Sequence, residues 1–195
     1  MVRRYAKIHY PTPLVIERLH EIIIAQRGFP GYVSPGLIDV GIEWASTNIE
    51  YQLASPNLLF RGAAMMYAYT TFHAYSDGNK RTALTSTAFF FFLNRYYMVI
   101  TDDAPEFTRD LAITCLDRPH VAIDEIKRTA DWLRPRIVAL PSGFGRGIYS
   151  FMMALNPLKD SGWETLFKAW LTDTQNRLLS LKKENNLSPY KSDSC

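Results

Sequence analysis

Residues 80 to 97 constrain the fold more than any other part of the chain. The stretch KRTALTSTAFFFFLNRYY carries apolar groups on nearly every side of a helical repeat. A helix that is apolar all round must be covered all round, so Lys80 to about Tyr97 is expected to be the central helix of a helical domain. The aromatic run Phe89 to Phe92 belongs to that core rather than to a cofactor box. Immediately before it stands FHAYSDGN, residues 72 to 79, where polar groups crowd the start of a buried element.

The flanking sequence supplies helices to cover it. TPLVIERLHEIIIAQRG has Thr12 as N-cap, Pro13 at the first helical position, apolar Val15, Leu19, Ile22 and Ile23, and Gly28 as a stop. Ser34-Pro35 and Ser55-Pro56 open two more helices, the second ending near His73. Downstream, TDDAPEFTRDLAITCL and RPHVAIDEIKRTADWLRPRI give two further amphipathic segments, the latter apolar at Val121, Ile123, Ile126, Ala130 and Leu133. Strand alternation is scarce, and the expected class is all-α. At LPSGFGRGIYS glycines cluster, which divides a domain over residues 1–140 from a linker at 141–147 and a helical extension over 148–195. In that extension Ser161 and Glu164 form a capping box ahead of an apolar face with Trp163, Phe167, Trp170 and Leu171.

Composition bounds the function. The chain of 195 residues suffices for one core without staples, and two cysteines, Cys115 and Cys195, make no secreted framework. A reducing cytoplasm is the expected setting, with no signal peptide or membrane span. A net charge of +3 argues against nucleic acid as partner and leaves anionic small ligands open.

The crowded stretch makes chemical sense as an anion site. A buried helix starting near Asn79 or Lys80 turns its first unpaired N–H groups and its positive dipole end into the preceding loop. Gly78 lets backbone approach a ligand, Asn79 caps the helix or donates to an oxygen, and Lys80 and Arg81 add two cations, together suiting a polyphosphate. Asp77 beside phosphates implies an intervening cation, and one carboxylate with phosphate oxygens suits Mg²⁺. His73 on the rim is placed to take a proton from an attacking hydroxyl. Taken singly, these residues have plainer readings as a packing histidine, a turn with an N-cap, and solvated first-turn cations.

Jointly, HAYSDGNKRTA resembles the signature loop of the Fic/Doc superfamily, whose broad pattern is His-x-Phe-x-Asp/Glu-Gly-Asn. Asn-Lys-Arg-Thr-Ala is most similar to the death-on-curing, or Doc, branch. The resemblance extends upstream through LHEIIIAQRGFPGYVSPGLID and downstream to about residue 137. It implies a Fic/Doc-type helical domain with the loop between two central helices. It also implies transfer of part of a nucleotide to a protein hydroxyl: AMP in Fic proteins, the ATP γ-phosphoryl group in Doc toxins. Doc toxins act on elongation factor Tu and are restrained by an antitoxin. Carried over by position, His73 is the base, Asp77 supports the metal or orients His73, and Gly78, Asn79, Lys80 and Arg81 contact phosphate, with ATP as substrate and Mg²⁺ as cofactor.

Two departures bear on the reaction. Fic proteins read Gly-Asn-Gly-Arg-x-x-Arg, whereas Lys80 replaces the second glycine here and Leu84 the second arginine. A cation in place of an open backbone cradle, and no partner for a γ-phosphate, favour phosphoryl transfer over AMP transfer. A catalytically silent module that holds a partner peptide is the alternative outside enzymes. Tyr75 stands where Phe is usual, and its hydroxyl needs a partner if buried. SLKKEN, residues 180–185, fits the inhibitory pattern of many Fic proteins, but Leu84 removes the arginine that Glu184 would pair with, so a solvated helix end is the expected reading.

Overall fold

The structure, a computed structural model, describes residues 7–53, 56–117 and 122–140. Its first helix, α1, spans Pro13–Gln26, and the Thr12 hydroxyl oxygen accepts the Val15 N–H at 3.4 Å, as the Thr-Pro signature predicts. Its buried face is Val15, Ile16, Leu19, His20, Ile22 and Ile24, so Ile24 rather than Ile23 turns inward and a histidine shares the apolar stripe.

Helix α2, Leu37–Glu43, runs through a wide turn at Trp44–Asn48 into α3, Ile49–Gln52. Helix α4, Leu58–Thr71, is buried without interruption from Arg61 to Thr70. Its cap is Asn57, whose side-chain oxygen accepts the Phe60 N–H at 3.2 Å, and not the expected serine before Pro56. Helix α5, Asn79–Leu93, is the central helix. It packs most extensively on α4. At the crossing Gly62 admits Phe91: a Cβ there would stand 2.4 Å from the ring, so no larger residue fits.

The central helix ends earlier than expected. Asn94 donates to Phe90 O and His9 O at 2.8 Å each and accepts the His9 N–H at 2.9 Å, and Arg95 turns left-handed at φ 68°. Residues expected in the helix become strand β1, Tyr96–Met98, paired antiparallel with β2, Ile137–Ala139, in the register Tyr97 to Val138. The described chain is otherwise helical, so the all-α class holds with this small sheet closing one end.

Helices α6, Ala104–Asp117, and α7, Ala122–Leu133, cover the remaining faces. A layered contact joins them. Phe107 stacks on Trp132 with centroids 4.5 Å apart, and the Arg136 guanidinium lies 4.0 Å from the Trp132 ring centre. Asp103 accepts from Trp132 Nε1 at 2.9 Å and Arg136 Nη2 at 2.7 Å. The Thr101 hydroxyl, with Trp132 and Arg136 after it, holds the Asp103 carboxyl down at about 2, so the clasp stays charged. It fixes the start of α6, which forms one wall of the groove described below. The linker at 141–147 and the extension at 148–195, including Trp163, Trp170 and Glu184, lie outside the described residues.

Arg61 is the main polar tie between α4 and the α2–α3 segment. It donates to Pro56 O and Ala45 O at 3.2 Å each, to Ser46 O at 2.7 Å and to Tyr10 Oη at 3.0 Å, and it pairs with Glu50 at 2.5 Å. Arg61→Leu removes the guanidinium donor from three backbone carbonyls, of which Ala45 O keeps the Tyr10 hydroxyl at 3.2 Å, so it should lower unfolding free energy by about 2–4 kcal/mol in denaturant titrations. Glu50→Gln, at an exposed site, should cost less than about 1 kcal/mol. Comparable losses for the two would contradict the role given to the carbonyls.

Candidate functional site

The loop over residues 72–78 joins the two most buried helices and is held from several sides. Ala74 O accepts the N–H groups of Val33 at 3.0 Å and Ser34 at 3.1 Å, and the Ser76 N–H donates to Gly31 O at 3.0 Å. Residues 31–34 thus lie along 74–76 as a short ladder, with Tyr32 opposite Tyr75. Within the loop, the Asn79 side chain accepts the Tyr75 N–H at 3.0 Å and donates to Tyr75 O at 2.7 Å. Asn79 is therefore a pin for the loop, and its amide is committed to backbone rather than to capping the helix.

Gly78 takes the position ahead of α5, left-handed at φ 78°, where a Cβ would stand 2.9 Å from Ile24 Cδ1. The first intrahelical bond runs from Thr82 N–H to Gly78 O at 2.9 Å. The N–H groups of Asn79, Lys80 and Arg81 have no acceptor within the helix, and the dipole adds positive potential at the same end.

A groove of about 380 Å³ opens there, lined by His73, Ser76, Asp77, Gly78, Asn79, Lys80, Arg81 and Leu84, and across from them by Pro105 and Thr108 of α6. All six residues singled out in the sequence line this one groove. His73 has a left-handed backbone, φ 51°, which is strained for a residue with a Cβ. Its half-buried ring makes no hydrogen bond among the described residues. Lys80 is exposed and unpaired among them, a cation on the rim.

Asp77 and Arg81 are already engaged. Asp77 Oδ1 accepts the Gly78 N–H at 2.5 Å, Oδ2 accepts the Phe29 N–H at 3.3 Å, and Arg81 Nη2 lies 3.5 Å from Oδ2. The Gly78 N–H above all, with Phe29 N–H and Arg81, lowers the Asp77 pKa and keeps the carboxylate ionised. Arg81 also donates to Ile23 O at 3.5 Å and to Arg27 O, so it ties the C-terminal end of α1 to the loop. Among the described residues no three His, Cys, Asp or Glu side chains gather as a metal cluster. One ionised carboxylate beside unpaired N–H groups fits a cation carried in with phosphate oxygens, rather than one caged by protein alone.

Ser76, Pro105 and Thr108 were not legible as lining residues, because loop tip and α6 are brought together only by the fold. His20 was missed too, although a histidine on the apolar stripe of α1 was the available signal. It is 5% exposed and stacks on Tyr75 with centroids 3.5 Å apart and planes at 9°. Its Nδ1 lies 3.0 Å from Thr82 Oγ1. Burial first, then the Arg81 charge, lowers its pKa from 6.5 to about 4, against weaker opposing pulls from Asp77 and Glu21. The Tyr75 hydroxyl is buried with no partner among the described residues, and burial raises its pKa, so it stays protonated.

Residues 10–91 match the family model described as Fic/DOC family. The match takes in α1, the 31–34 ladder, the loop and most of α5, and stops short of the α6 wall. The matched span is therefore similar to the Fic/DOC family over the part of the chain that carries the loop. No curated protein matches the chain.

The His20 shift has a sign. As pH falls, unfolded chains protonate near 6.5 and the folded site only near 4, so stability present above 6.5 should be lost progressively down to 4. Melting temperatures followed across that window should fall more steeply in the wild type than in His20→Phe, which has nothing to protonate. Equal slopes would place the acid sensitivity elsewhere.

Proposed function

We propose that this protein transfers the γ-phosphoryl group of ATP to a hydroxyl of a target protein, as Doc-type toxins do. The observation that carries the reading is the groove at the start of α5. It combines unpaired helical N–H groups, the free cation Lys80, the ionised Asp77 and the unbonded imidazole of His73, with Leu84 where an AMP transferase has a second arginine. By the same resemblance the acceptor is elongation factor Tu, an antitoxin restrains the enzyme, and the reaction takes place in the cytoplasm.

The N–H groups of Asn79, Lys80 and Arg81 hold phosphate oxygens, with the α5 dipole behind them. Lys80 swings onto the outermost phosphate as a point charge. Asp77 would hold Mg²⁺ jointly with those oxygens, and the ion would offset the negative charge of the phosphates. His73 accepts the proton of the attacking hydroxyl as the oxygen bonds to the γ-phosphorus and ADP departs. Arg81, drawn back to Asp77 and the α1 carbonyls, keeps the carboxylate in place.

Intact mass of elongation factor Tu after incubation with ATP and Mg²⁺ tests the reaction: a gain of about 80 Da is phosphate, about 329 Da is AMP, and none points to a binding module. His73→Ala should cut the rate by roughly 10²- to 10⁴-fold while the protein keeps its thermal transition and nucleotide affinity. Loss of the transition together with activity would make His73 structural.

The two cations should separate. Lys80→Met should weaken ATP binding more than adenosine binding, by a margin that shrinks at high salt, and leave melting unchanged. Arg81→Met should do the same to binding and also lower the melting temperature, since it frees Asp77 and the end of α1. Equal loss for ATP and adenosine would remove the phosphate assignment.

A further inference from the structure

His73 is held in a left-handed backbone at φ 51°, and the loop that presents it has no helix of its own to maintain it. Its supports are the Asn79 pin, the 31–34 ladder and one buried side chain from outside, His20. That imidazole contacts two pieces at once and borders a third residue. It stacks on Tyr75 of the loop at 3.5 Å, reaches Thr82 in the first turn of α5 at 3.0 Å, and puts Cε1 3.4 Å from where a Cβ on Gly78 would stand. Tyr75, 2% exposed and clamped through its backbone by Asn79, is thereby sandwiched between α1 and the loop's own ladder, where Tyr32 leans on it at 5.6 Å. His20 is thus the point at which α1 reads both the loop and the phosphate-facing end of α5.

We propose that His20 is a positioning residue for the groove: its ring, stacked on Tyr75 and bonded to Thr82, holds the 73–78 loop in the conformation that presents His73. It touches no reacting atom. A flat aromatic ring is needed for the parallel stack, and the near-parallel planes at 9° show that the face of the ring makes the contact. The ring also stays uncharged, which the nearby Arg81 requires, since an imidazolium would repel the guanidinium that anchors Asp77.

The inference rests on the transferase reading, so its test includes a readout that needs no turnover. In the full-length protein, NMR signals of the His73 ring and of the amides at 74–79 report the loop directly. His20→Leu keeps apolar bulk but loses the stack and the bond. It should shift and broaden those signals, leave the α6 and α7 amides in place, and lower kcat roughly 10- to 100-fold with KM for ATP within about threefold. His20→Phe keeps the stack and should recover most of both effects, and Thr82→Val, which removes the bond alone, should fall between. Unchanged loop signals in folded His20→Leu overturn the proposal, as does a Phe variant damaged as severely as the Leu variant. If the Leu variant shows no thermal transition, unchanged loop signals in Thr82→Val overturn it. If the wild type transfers nothing, the transferase reading fails while the NMR comparison still decides the role of His20.

Discussion

The packing of α5 against α4 is the constraint on which the rest depends. Both helices are buried almost throughout, and Gly62 against Phe91 sets how closely they approach. Two helices so enclosed are joined by residues 72–78, and that short connection must turn while its polar groups still find partners. The start of α5 then faces the turn with N–H groups that the helix itself does not satisfy. The anion site proposed above would follow from burying this helix and ending it near the surface.

What makes the site specific comes from outside the helix pair. Residues 31–34 pair with the loop backbone, Asn79 locks Tyr75 from within, and α1 contributes His20 and the carbonyls that receive Arg81. Asp77 and Arg81 restrain one another, whereas Lys80 is left free among the described residues. The α6 wall is set by a separate clasp, in which Asp103 holds Trp132 and Arg136. Groove width therefore depends on contacts remote from the chemistry.

Much of this was legible in the sequence, for local reasons. Thr12-Pro13 marks a helix start because cap and ring act within one turn, and the apolar run after Lys80 marks a buried helix because no other arrangement covers it. The six groove residues singled out from the loop and the first turn of α5 were legible as a group because they lie within a few positions of one another. The end of α5 was not, since Asn94 stops it by bonding to His9, and β1 exists only because Ile137–Ala139 returns to pair with it. The role of Asn79 was also hidden: a residue suited to capping was instead drawn to the Tyr75 backbone by the tightness of the turn. His20 and Thr108 reach the site through tertiary packing, which a local pattern does not encode.

The central claim is that the start of α5 receives nucleotide phosphates. Amide NMR during titration with ATP and Mg²⁺ tests it most directly. The account predicts that the largest shifts fall on Gly78, Asn79, Lys80 and Arg81, that inorganic triphosphate reproduces them, and that adenosine does not. Shifts centred elsewhere on the chain, or equal responses to adenosine and ATP, would contradict it.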